Sequence, residues 1–402
     1  MVVYVGFTSL ASNYGDVELA VSTIMMKLFM LFSYFVDGFA YAGEALVGKE
    51  IGRSSGKSIE PVVDALGFKK NAVIIEVQGD EWDESIDRSP ELKEEITLSK
   101  KEIIDRIKEC GIVGLGGACF PAHVKYMLPP DKKVDYLLVN AAECEPYITV
   151  DHRLMLENAD KCIIGIKALL IASGAPKALI GIEANKPDAI KHFKELTANI
   201  PEIEIIPLKP KYPQGAEKQL IKALTGREVP NGKLPIEVGV IVNNISTCHA
   251  VYYAVQKNRP LIETFLTVTG KTLQTRKNYR VRLGTPVQEI LDTVTIPEGI
   301  GKVIAGGPMM GKAMSNLNCY TVKGMSSLLL MDEKESKRAE VTACLRCGKC
   351  VYGCPMGLQG EKLFHCGASS KDAGNKITTI MQIENTEIYH VLMEKLLVNS
   401  RL

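Results

Sequence analysis

Residues 135–141, DYLLVNA, form a short apolar run of the kind that builds a strand buried on both faces of a sheet. Two similar runs follow, KALIGIEA at 177–184 and VGVIVNN at 238–244. The stretches 153–172 and 187–197 between them are predicted to be connecting helices. Strands that alternate with helices are typical of an α/β domain with a mostly parallel sheet, and this is the fold class we expect.

Local signals predict the elements that precede this alternating pattern. Residues 99–102, SKKE, match a capping box, in which Ser and Glu side chains bind free amides at the start of a helix. Gly111 fits the position just past the end of that helix. Residues 71–78, NAVIIEVQ, are apolar and β-branched and predict a strand. The acidic stretch 79–99 is expected to be a solvated loop.

The composition is that of a folded, intracellular protein. The 402 residues suggest two to four domains, and the 46% hydrophobic and 24% charged residues exclude a largely disordered chain. With 48 Lys and Arg against 47 Asp and Glu, no basic field favours nucleic acid, so no nucleic-acid partner is expected. Eleven cysteines, an odd number, argue against a secreted disulfide framework and favour a reducing compartment.

The first 53 residues differ from the remainder. Residues 19–36, LAVSTIMMKLFMLFSYFV, are near the lower length limit of a bilayer-spanning helix, and a buried helix of a soluble core is the alternative. Residues 34–48, YFVDGFAYAGEALVG, resemble a segment of MATE-type multidrug transporters. Because such a transporter needs many spans, we interpret residues 1–53 as a transporter-like remnant and expect no transport from it.

A cysteine motif near the end of the chain predicts a metal–sulfur site. Residues 344–355, CLRCGKCVYGCP, space four thiols as in iron–sulfur proteins: Cys344, Cys347, Cys350 and Cys354. Zinc is the alternative, but zinc sites usually pair two separated Cys-x-x-Cys units. Since no second motif follows, a cluster on the first three cysteines takes its fourth ligand from Cys354 or Cys366 or remains incomplete. The number of clusters, one or two, stays open.

Residues 114–121, GLGGACFP, form a glycine-rich loop that predicts contact with a phosphate. Closely spaced glycines such as Gly114, Gly116 and Gly117 let backbone N–H groups approach a phosphate without hindrance from Cβ atoms. The loop is not the Rossmann fingerprint, because a helix precedes it. A plain turn is the alternative. Lys125, shortly after the loop, is a candidate point charge for the phosphate.

Polar side chains follow two of the predicted strands. Residues 140–146, NAAECEP, place Glu143 and Glu145 just after the first strand, and Asn243 and Asn244 close the last one. Ligand sites of α/β proteins gather at the carboxyl ends of parallel strands. The carboxylates are therefore candidates to accept hydrogen bonds from ribose hydroxyls or a flavin ring, with a solvated loop end as the alternative.

Several long motifs in order resemble the C subunit of the Rnf complex, an ion-translocating ferredoxin:NAD oxidoreductase. The resemblance covers residues 54–358. The motifs are GIVGLGGACFPAHVK at 111–125, VNAAECEPYITVDHRLMLE at 139–157, YPQGAEKQLI at 212–221, VNNISTCHAV at 242–251, VIAGGPMMG at 303–311 and CLRCGKCVYGCPMGL at 344–358. The α/β part more distantly resembles the flavin-bearing, NADH-oxidising subunit of respiratory complex I.

The resemblance implies a flavin mononucleotide (FMN) site and residues that hold it. It implies that Glu143 and Glu145 face the nicotinamide of NAD(H) and are the catalytic candidates. The cofactor-binding residues that it implies are Gly114, Gly116, Gly117, Lys125, Asn140, Tyr212, Gly215, Glu217, Asn243, Asn244 and Thr247. A 4Fe–4S cluster on the cysteine motif would receive the electrons singly, since a flavin converts a hydride pair into one-electron steps.

The resemblance also implies the domain order and the partners. The predicted segments are 1–53, an apolar helical remnant; 54–98, a partial N-terminal β segment and linker; 99–250, the FMN- and NADH-binding domain; 251–315, a β-grasp domain; 316–365, the iron–sulfur segment; and 366–402, a tail with one helix. Expected partners are other subunits of a membrane electron-transport complex, with ferredoxin as an indirect redox partner. The expected location is the cytoplasmic face of the bacterial inner membrane, with a possible N-terminal span.

Two alternatives to an Rnf-type subunit stay open. A cobalamin reductase of bacterial microcompartments shares much of this architecture, and a truncated, non-catalytic docking fragment would fold without cofactors. The sequence departs from the family at both ends: the second cysteine motif is missing, and of the usual N-terminal β domain only the strand near 71–78 is recognisable.

Overall fold

The structure is a computed structural model that describes residues 58–74, 79, 82–230 and 232–337. The chain divides into two compact units, of which the larger comprises residues 63–68 and 81–341. The predicted span at 19–36, the transporter-like segment and the motif at 344–355 lie outside the described residues. No helix within the described ranges is long and apolar enough to cross a membrane.

A two-stranded sheet is the first described element. It pairs β1, Ser58–Val63, with β2, Lys69–Ile74. The turn between them is closed by the Asp64 carboxylate, which accepts hydrogen bonds from the Leu66 and Phe68 amides at 2.9 and 3.0 Å. β2 confirms a strand in the predicted stretch 71–78 and begins two residues earlier, whereas residues 75–78 lie outside the described residues.

A parallel four-stranded sheet forms the centre of the larger unit. Its strands are β3, Tyr136–Ala141; β4, Lys177–Glu183; β5, Ile203–Leu208; and β6, Val240–Asn244. The order is β5–β4–β3–β6, and every neighbouring pair is parallel, which confirms the predicted α/β class. The chain moves outward from β3 through β4 to β5 and then returns to place β6 on the other side of β3. Ligands of open α/β sheets bind where the strand order reverses in this way.

Helices cover this sheet. They are α1, Lys100–Glu109; α2, Val150–Glu157; α3, Ala159–Ser173; α4, Pro187–Leu196; α5, Glu217–Thr225; and α6, Ile245–Lys257. The capping box at Ser99 is present, and Gly111 adopts φ +63° after α1, as predicted. The single helix predicted at 153–172 is wrong, because Asn158, with φ −140°, leaves the helical conformation and separates α2 from α3.

Close packing of α3 and α6 fixes the position of the site helix α6. A Cβ atom on Gly165 of α3 would lie 1.9 Å from the carbonyl oxygen of Cys248, so only glycine permits this approach of the two backbones. Apolar side chains that are fully buried, such as Ile166, Leu169 and Val251, complete the layer. Because β6 leads directly into α6, this packing also fixes where the amino end of α6 lies, next to the carboxyl end of β6.

The acidic stretch 82–98 forms no helix or strand and most of its residues are exposed, as a solvated loop requires, but it also makes specific contacts with α6. The Lys257 ammonium, which is almost fully buried, donates to the Asp87 carboxylate and the Ser89 hydroxyl, each at 2.9 Å. The Tyr252 hydroxyl accepts a hydrogen bond from the Lys93 amide at 3.3 Å. The segment thus lies along α6, because its carboxylate and carbonyl groups satisfy polar side chains at the carboxyl end of that helix.

A second sheet follows α6. Its strands are β7, Glu263–Thr269; β8, Lys277–Arg282; β9, Ile300–Ala305; β10, Lys312–Ala313; and β11, Ser327–Asp332; two short helices are α7, Val287–Leu291, and α8, Glu333–Ser336. The order is β10–β9–β11–β7–β8, with β11 parallel to β7 and the other pairs antiparallel. A small mixed module is present as predicted, but its predicted end at 315 falls inside this sheet, since β11 pairs with both β7 and β9.

Candidate functional site

The predicted site residues converge where the strand order reverses, between β3 and β6. Asn140 near the end of β3 lies directly opposite Asn244, the last residue of β6, in the parallel pairing. The acidic loop, which we define as residues 142–149, leaves β3 here, and α6 begins here after β6. Two motifs that are about a hundred residues apart in the chain therefore share one edge of the sheet.

The glycine-rich loop lies against the amino end of α6. The Leu115 amide donates to the Thr247 hydroxyl at 2.9 Å, and a Cβ atom on Gly116 would lie 3.4 Å from the Cβ atom of Asn244. Within the loop, the Gly114 amide donates to the Phe120 carbonyl at 2.8 Å. The glycine-rich loop therefore lies next to two other predicted site residues, Asn244 and Thr247.

The geometry of this loop fits a phosphate group. The amides of Gly116, Gly117 and Ala118 donate to no acceptor in the part of the chain that the structure describes. Gly117 adopts φ +116°, and no atom lies within 4 Å of the position that a Cβ would take. Because successive free amides and the start of a helix both attract anions, the loop and α6 form a cradle suited to the phosphate of FMN.

The ammonium group of Lys125 is bound by other groups of the protein. It donates a 2.7 Å hydrogen bond to the carbonyl of Val242 in β6 and lies 3.9 Å from the Glu217 carboxylate at the start of α5. Burial lowers the pKa of Lys125, and the Glu217 carboxylate opposes this effect. The pair therefore links β6 with α5, and these contacts give Lys125 a structural role beside the predicted one.

Residues 212–217 lie against the acidic loop. The Asn140 side-chain amide donates to the Gly215 carbonyl at 2.7 Å, and the Gly215 amide donates to the Cys144 sulfur at 3.3 Å. A Cβ atom on Gly215 would lie 2.6 Å from the Ala142 carbonyl oxygen, so this contact requires glycine. The peptide between Tyr212 and Pro213 is cis. Gly215, in the middle of the predicted strip of Tyr212, Gly215 and Glu217, therefore lies next to the end of β3.

Glu143, in the acidic loop, caps the amino end of the helix that follows this loop, α2. Its carboxylate accepts hydrogen bonds from the Asp151 amide at 2.8 Å and the His152 amide at 3.3 Å, in the first turn of α2. Thr149, at the cap position itself, makes no such bond with its side chain. Burial raises the pKa of Glu143 to about 8, and the neighbouring Asp151 carboxylate acts in the same direction. A carboxyl group in this state holds a proton at neutral pH.

Asp151 is a site residue that the sequence reasoning did not single out. Its carboxylate accepts hydrogen bonds from the Asn244 side-chain amide at 2.7 Å and the Ser246 hydroxyl at 2.6 Å. Burial raises its pKa. An acidic residue in the first turn of a helix is ordinary, so nothing in the sequence distinguished it from a dipole-stabilising side chain. In the structure it joins the start of α2 to the start of α6.

Asn243, one of the predicted cofactor-binding residues, is buried and bound within the protein. It is 3% exposed, and its side-chain amide donates to the Tyr126 hydroxyl at 2.5 Å. Burial raises the pKa of Tyr126, so this hydroxyl stays protonated. Asn243 therefore anchors the segment after the glycine loop to β6 and acts beneath the cradle.

Glu145 is bound by the second sheet module. Its Oε1 atom accepts hydrogen bonds from the Met309 amide at 2.7 Å and the Met310 amide at 3.0 Å. Burial raises its pKa, and the two amides oppose this effect. The predicted direct role toward nicotinamide thus competes with a fixed contact inside the protein.

A cleft of about 420 Å³ opens beside the acidic loop. Its lining includes Glu143, Glu145, Lys186 and Tyr212, so it adjoins the proposed cofactor residues. Lys186 is buried and donates to the Glu183 carboxylate at 2.8 Å. A larger opening of about 640 Å³ is lined by residues such as Tyr136 and Lys177. It lies at the amino ends of the strands, on the opposite edge of the sheet from the loops described above.

No group of three or more metal-binding side chains occurs within the described ranges. The predicted ligands Cys344, Cys347, Cys350 and Cys354 lie outside them. The described thiols include Cys110, Cys162 and Cys248, which are buried and have a pKa raised by burial. They are side chains of the core.

Comparison with known families identifies the α/β part. The model of the family described as Nuo51 FMN-binding domain matches residues 107–253, a range that begins in α1 and ends within α6. A solved NAD+-reducing [NiFe]-hydrogenase in its H2-reduced state resembles the chain with a TM-score of 0.51, covering 59% of this chain and 47% of that one. At 20% identity, this likeness shows the fold alone.

Curated relatives cover about three quarters of the chain. It is 46% identical over 304 residues to the C subunit of the proton-translocating ferredoxin:NAD(+) oxidoreductase complex of Clostridium ljungdahlii, and 41% identical over 309 residues to the C subunit of the Na(+)-translocating complex of Acetobacterium woodii. It is 40% identical over 310 residues to the C subunit of the ion-translocating oxidoreductase complex of Haemophilus influenzae. The alignments cover 75%, 76% and 77% of this chain and span 66%, 69% and 38% of those relatives.

Proposed function

This chain belongs to the family of C subunits of ion-translocating ferredoxin:NAD(+) oxidoreductase complexes, and we propose that it transfers electrons between NAD(H) and an iron–sulfur cluster through bound FMN. The observation that carries this proposal is the convergence of the glycine loop, the acidic loop and the start of α6 at the reversal of strand order. The match to an FMN-binding family over the same residues supports it.

Different residues of the site would contact the phosphate and the ring of FMN. The amides of Gly116, Gly117 and Ala118, aided by the start of α6, would hold the phosphate, while Thr247 fixes the loop through Leu115. Asn140, Gly215 and the acidic loop would form the wall beside the ring. When bound, FMN accepts two electrons from NADH as a hydride and releases them one at a time, which a single iron–sulfur cluster requires.

The acidic loop controls charge next to NAD(H). Glu143 would lie at the cleft that admits the nicotinamide, and its buried carboxyl keeps a proton near neutral pH. A neutral Glu143 limits the negative charge beside the Asp151 carboxylate. In this state, the amides of Asp151 and His152, which donate to different oxygens of Glu143, keep these oxygens as acceptors: one is the carbonyl oxygen and the other is the weaker hydroxyl oxygen. The loop can therefore keep its conformation while the charge of the bound nicotinamide changes.

A 4Fe–4S cluster is the proposed one-electron partner. Thiolates of Cys344, Cys347, Cys350 and Cys354 would bind it, on the basis of their spacing in the sequence. The chain would act as one subunit of a membrane-associated complex, on the cytoplasmic face of a bacterial inner membrane, with ferredoxin as an indirect redox partner. The names of its relatives describe such a complex and support this assignment.

Anaerobic titration with NADH tests the proposal. The full chain is reconstituted with FMN, iron and sulfide, and the visible absorption of the flavin is followed after NADH is added. We expect retention of FMN through gel filtration and rapid bleaching by NADH. Absence of FMN binding would contradict the proposed cofactor site, and bound FMN that NADH does not bleach would contradict the proposed electron donor.

A further inference from the structure

We propose that Glu145 is a positioning residue, whose carboxylate fastens the acidic loop to a glycine turn of the second sheet module and thereby sets the geometry of the flavin site. The glycine turn is residues 306–311, between β9 and β10. The inference rests on the proposed function, because the site that Glu145 would position is the FMN and NAD(H) site.

The glycine turn presents two successive amides to one carboxylate oxygen. Glu145 Oε1 accepts from both Met309 and Met310, at 2.7 and 3.0 Å. The turn is closed by a 2.8 Å hydrogen bond from the Gly311 amide to the Gly307 carbonyl. Adjacent amides in a turn form a concave anion site, and hydrogen bonds to a charged acceptor are stronger than neutral ones. The internal carboxylate of Glu145 occupies this anion site.

The turn is a rigid anchor because it is tied to the centre of its sheet. The Gly306 amide donates to the Ser327 carbonyl of β11 at 2.8 Å, and Gly306 adopts φ +103°. A Cβ atom on Gly307 would lie 2.0 Å from Cγ of Glu145, which is far closer than two carbon atoms can approach. The contact therefore requires glycine at 307, because any larger residue there would displace the Glu145 side chain from its present position.

A second contact holds the other end of the acidic loop. The Asn278 side-chain amide of β8 donates to the Thr149 hydroxyl at 3.1 Å, and the Thr149 amide donates to the Thr267 hydroxyl of β7 at 3.2 Å. Glu145 and Thr149 are thus both attached to the second module. The loop between them leads into α2, whose first amides bind Glu143, so the module determines where the Glu143 carboxyl lies relative to the cleft.

A methyl group added at position 307, where it would displace the Glu145 side chain, tests this role in the full chain. The variants are Glu145→Ala, Glu145→Gln, Gly307→Ala and the double variant Gly307→Ala/Glu145→Ala. The matched control is Gly301→Ala, whose Cβ would lie 2.0 Å from the Ser336 hydroxyl, in the same module but against α8. The measurements are the FMN dissociation constant from flavin fluorescence, the NADH bleaching rate, and hydrogen exchange of the Asp151 and His152 amides.

We expect Glu145→Ala and Gly307→Ala each to weaken FMN binding and slow bleaching by about tenfold or more, the equivalent of losing a charge-assisted hydrogen bond. Both should speed exchange at Asp151 and His152. Glu145→Gln, which keeps an oxygen acceptor for the two amides, should lose less than about threefold. The double variant should match Glu145→Ala alone, because the effect of Gly307→Ala acts through Glu145. Gly301→Ala should lower the melting temperature without changing the three site measurements.

Two results would overturn the inference: Gly307→Ala behaving like Gly301→Ala, or the effects of the two single variants multiplying in the double variant. A third would be equal losses in Glu145→Gln and Glu145→Ala, which indicate a direct role of the charge. Hydrogen exchange needs neither flavin nor NADH. If the unmodified chain fails to bind FMN, the proposed function fails, while exchange at Asp151 and His152 still decides whether Glu145 positions the loop.

Discussion

The Glu143 carboxylate accepts a 2.8 Å hydrogen bond from the amide of Asp151, and the side chain of Asp151 is a second buried carboxylate at the same helix start. The Asp151 oxygens accept hydrogen bonds from Asn244, at the end of β6, and from Ser246, in the first turn of α6. Two acidic residues therefore join the ends of β3 and β6, and only one is provided with side-chain donors. Burial, with the neighbouring Asp151 carboxylate acting in the same direction, raises the pKa of Glu143 to about 8.

The stability of the protein should decrease as the pH rises towards and through about 8. Glu143 has a folded-state pKa of about 8 against an ordinary value of 4.5. Its contribution is therefore fully present below about pH 4.5 and is lost as the pH rises through the folded-state value. The loss should amount to a few kcal/mol, since a pKa difference of one corresponds to about 1.4 kcal/mol. Glu143→Gln should flatten this dependence, as measured by urea unfolding at pH values from about 5 to 9.

The control is Glu157→Gln, at the exposed end of the same helix, where the side chain is 55% exposed and pairs with Arg153. Glu157→Gln should keep the pH dependence of the unmodified chain. If Glu143→Gln also kept it, the dependence would have to come from another group, and the proton assigned to Glu143 would be wrong.

A substitution that disturbs the conformation of Gly117 should reduce the affinity for FMN more than it reduces the stability of the fold. Alanine at φ +116° is strained by about 1–2 kcal/mol, and the strain should displace the free amides of the loop, so Gly117→Ala should weaken FMN binding by about tenfold. Gly226→Ala, at φ +72° after α5 and also with open space around it, should cost similar stability and leave FMN affinity unchanged. Equal FMN affinities in the two variants, measured by fluorescence titration, would contradict the cradle.

Loss of the Asn244 side chain should destabilise α6 and its junction with α2. Asn244 accepts the Ser246 amide at 2.8 Å as a helix cap and donates to Asp151. Asn244→Ala should therefore lower the free energy of unfolding by about 2 kcal/mol, more than the ordinary cost of losing a cap. Ser99→Ala, which removes the cap of α1 without affecting a buried carboxylate, should cost about 1 kcal/mol. Urea unfolding of both variants measures the difference; equal losses would mean that the bond to Asp151 adds nothing.

The features that the sequence predicted correctly are those with a local sequence pattern. The apolar runs identified β3, β4 and β6, and the capping box located the start of α1, because buried strands and helix starts have short-range signatures. Asn140 and Asn244, which the sequence places near the ends of two predicted strands, lie opposite each other, since parallel strands align their carboxyl ends. This part of the site follows from the topology of a parallel sheet.

The remaining features depend on contacts between distant segments. Asp87 appeared solvated in the sequence because its partner Lys257 lies 170 residues away. Lys125 appeared available for a phosphate, but Val242 and Glu217 surround its ammonium group. The bond from Met309 to Glu145 joins two modules, and no periodic pattern records such a contact. Sequence patterns report which residues are polar and buried, whereas their partners are set by tertiary packing.

The ligand set of the proposed cluster can be decided between Cys354 and Cys366. In two-cluster proteins the last cysteine of such a run binds the second cluster, but no second motif follows residues 344–355, so we take Cys354 as the fourth ligand to test against Cys366. Cys354→Ser should therefore remove most of the bound iron and the visible absorption of the cluster, while NADH still bleaches the FMN. Cys366→Ser should retain iron as the unmodified chain does. Iron analysis and anaerobic NADH titration of both variants are the measurements; loss of iron only in Cys366→Ser would instead assign the fourth ligand to Cys366, and loss of bleaching in Cys354→Ser would mean that flavin reduction depends on the cluster.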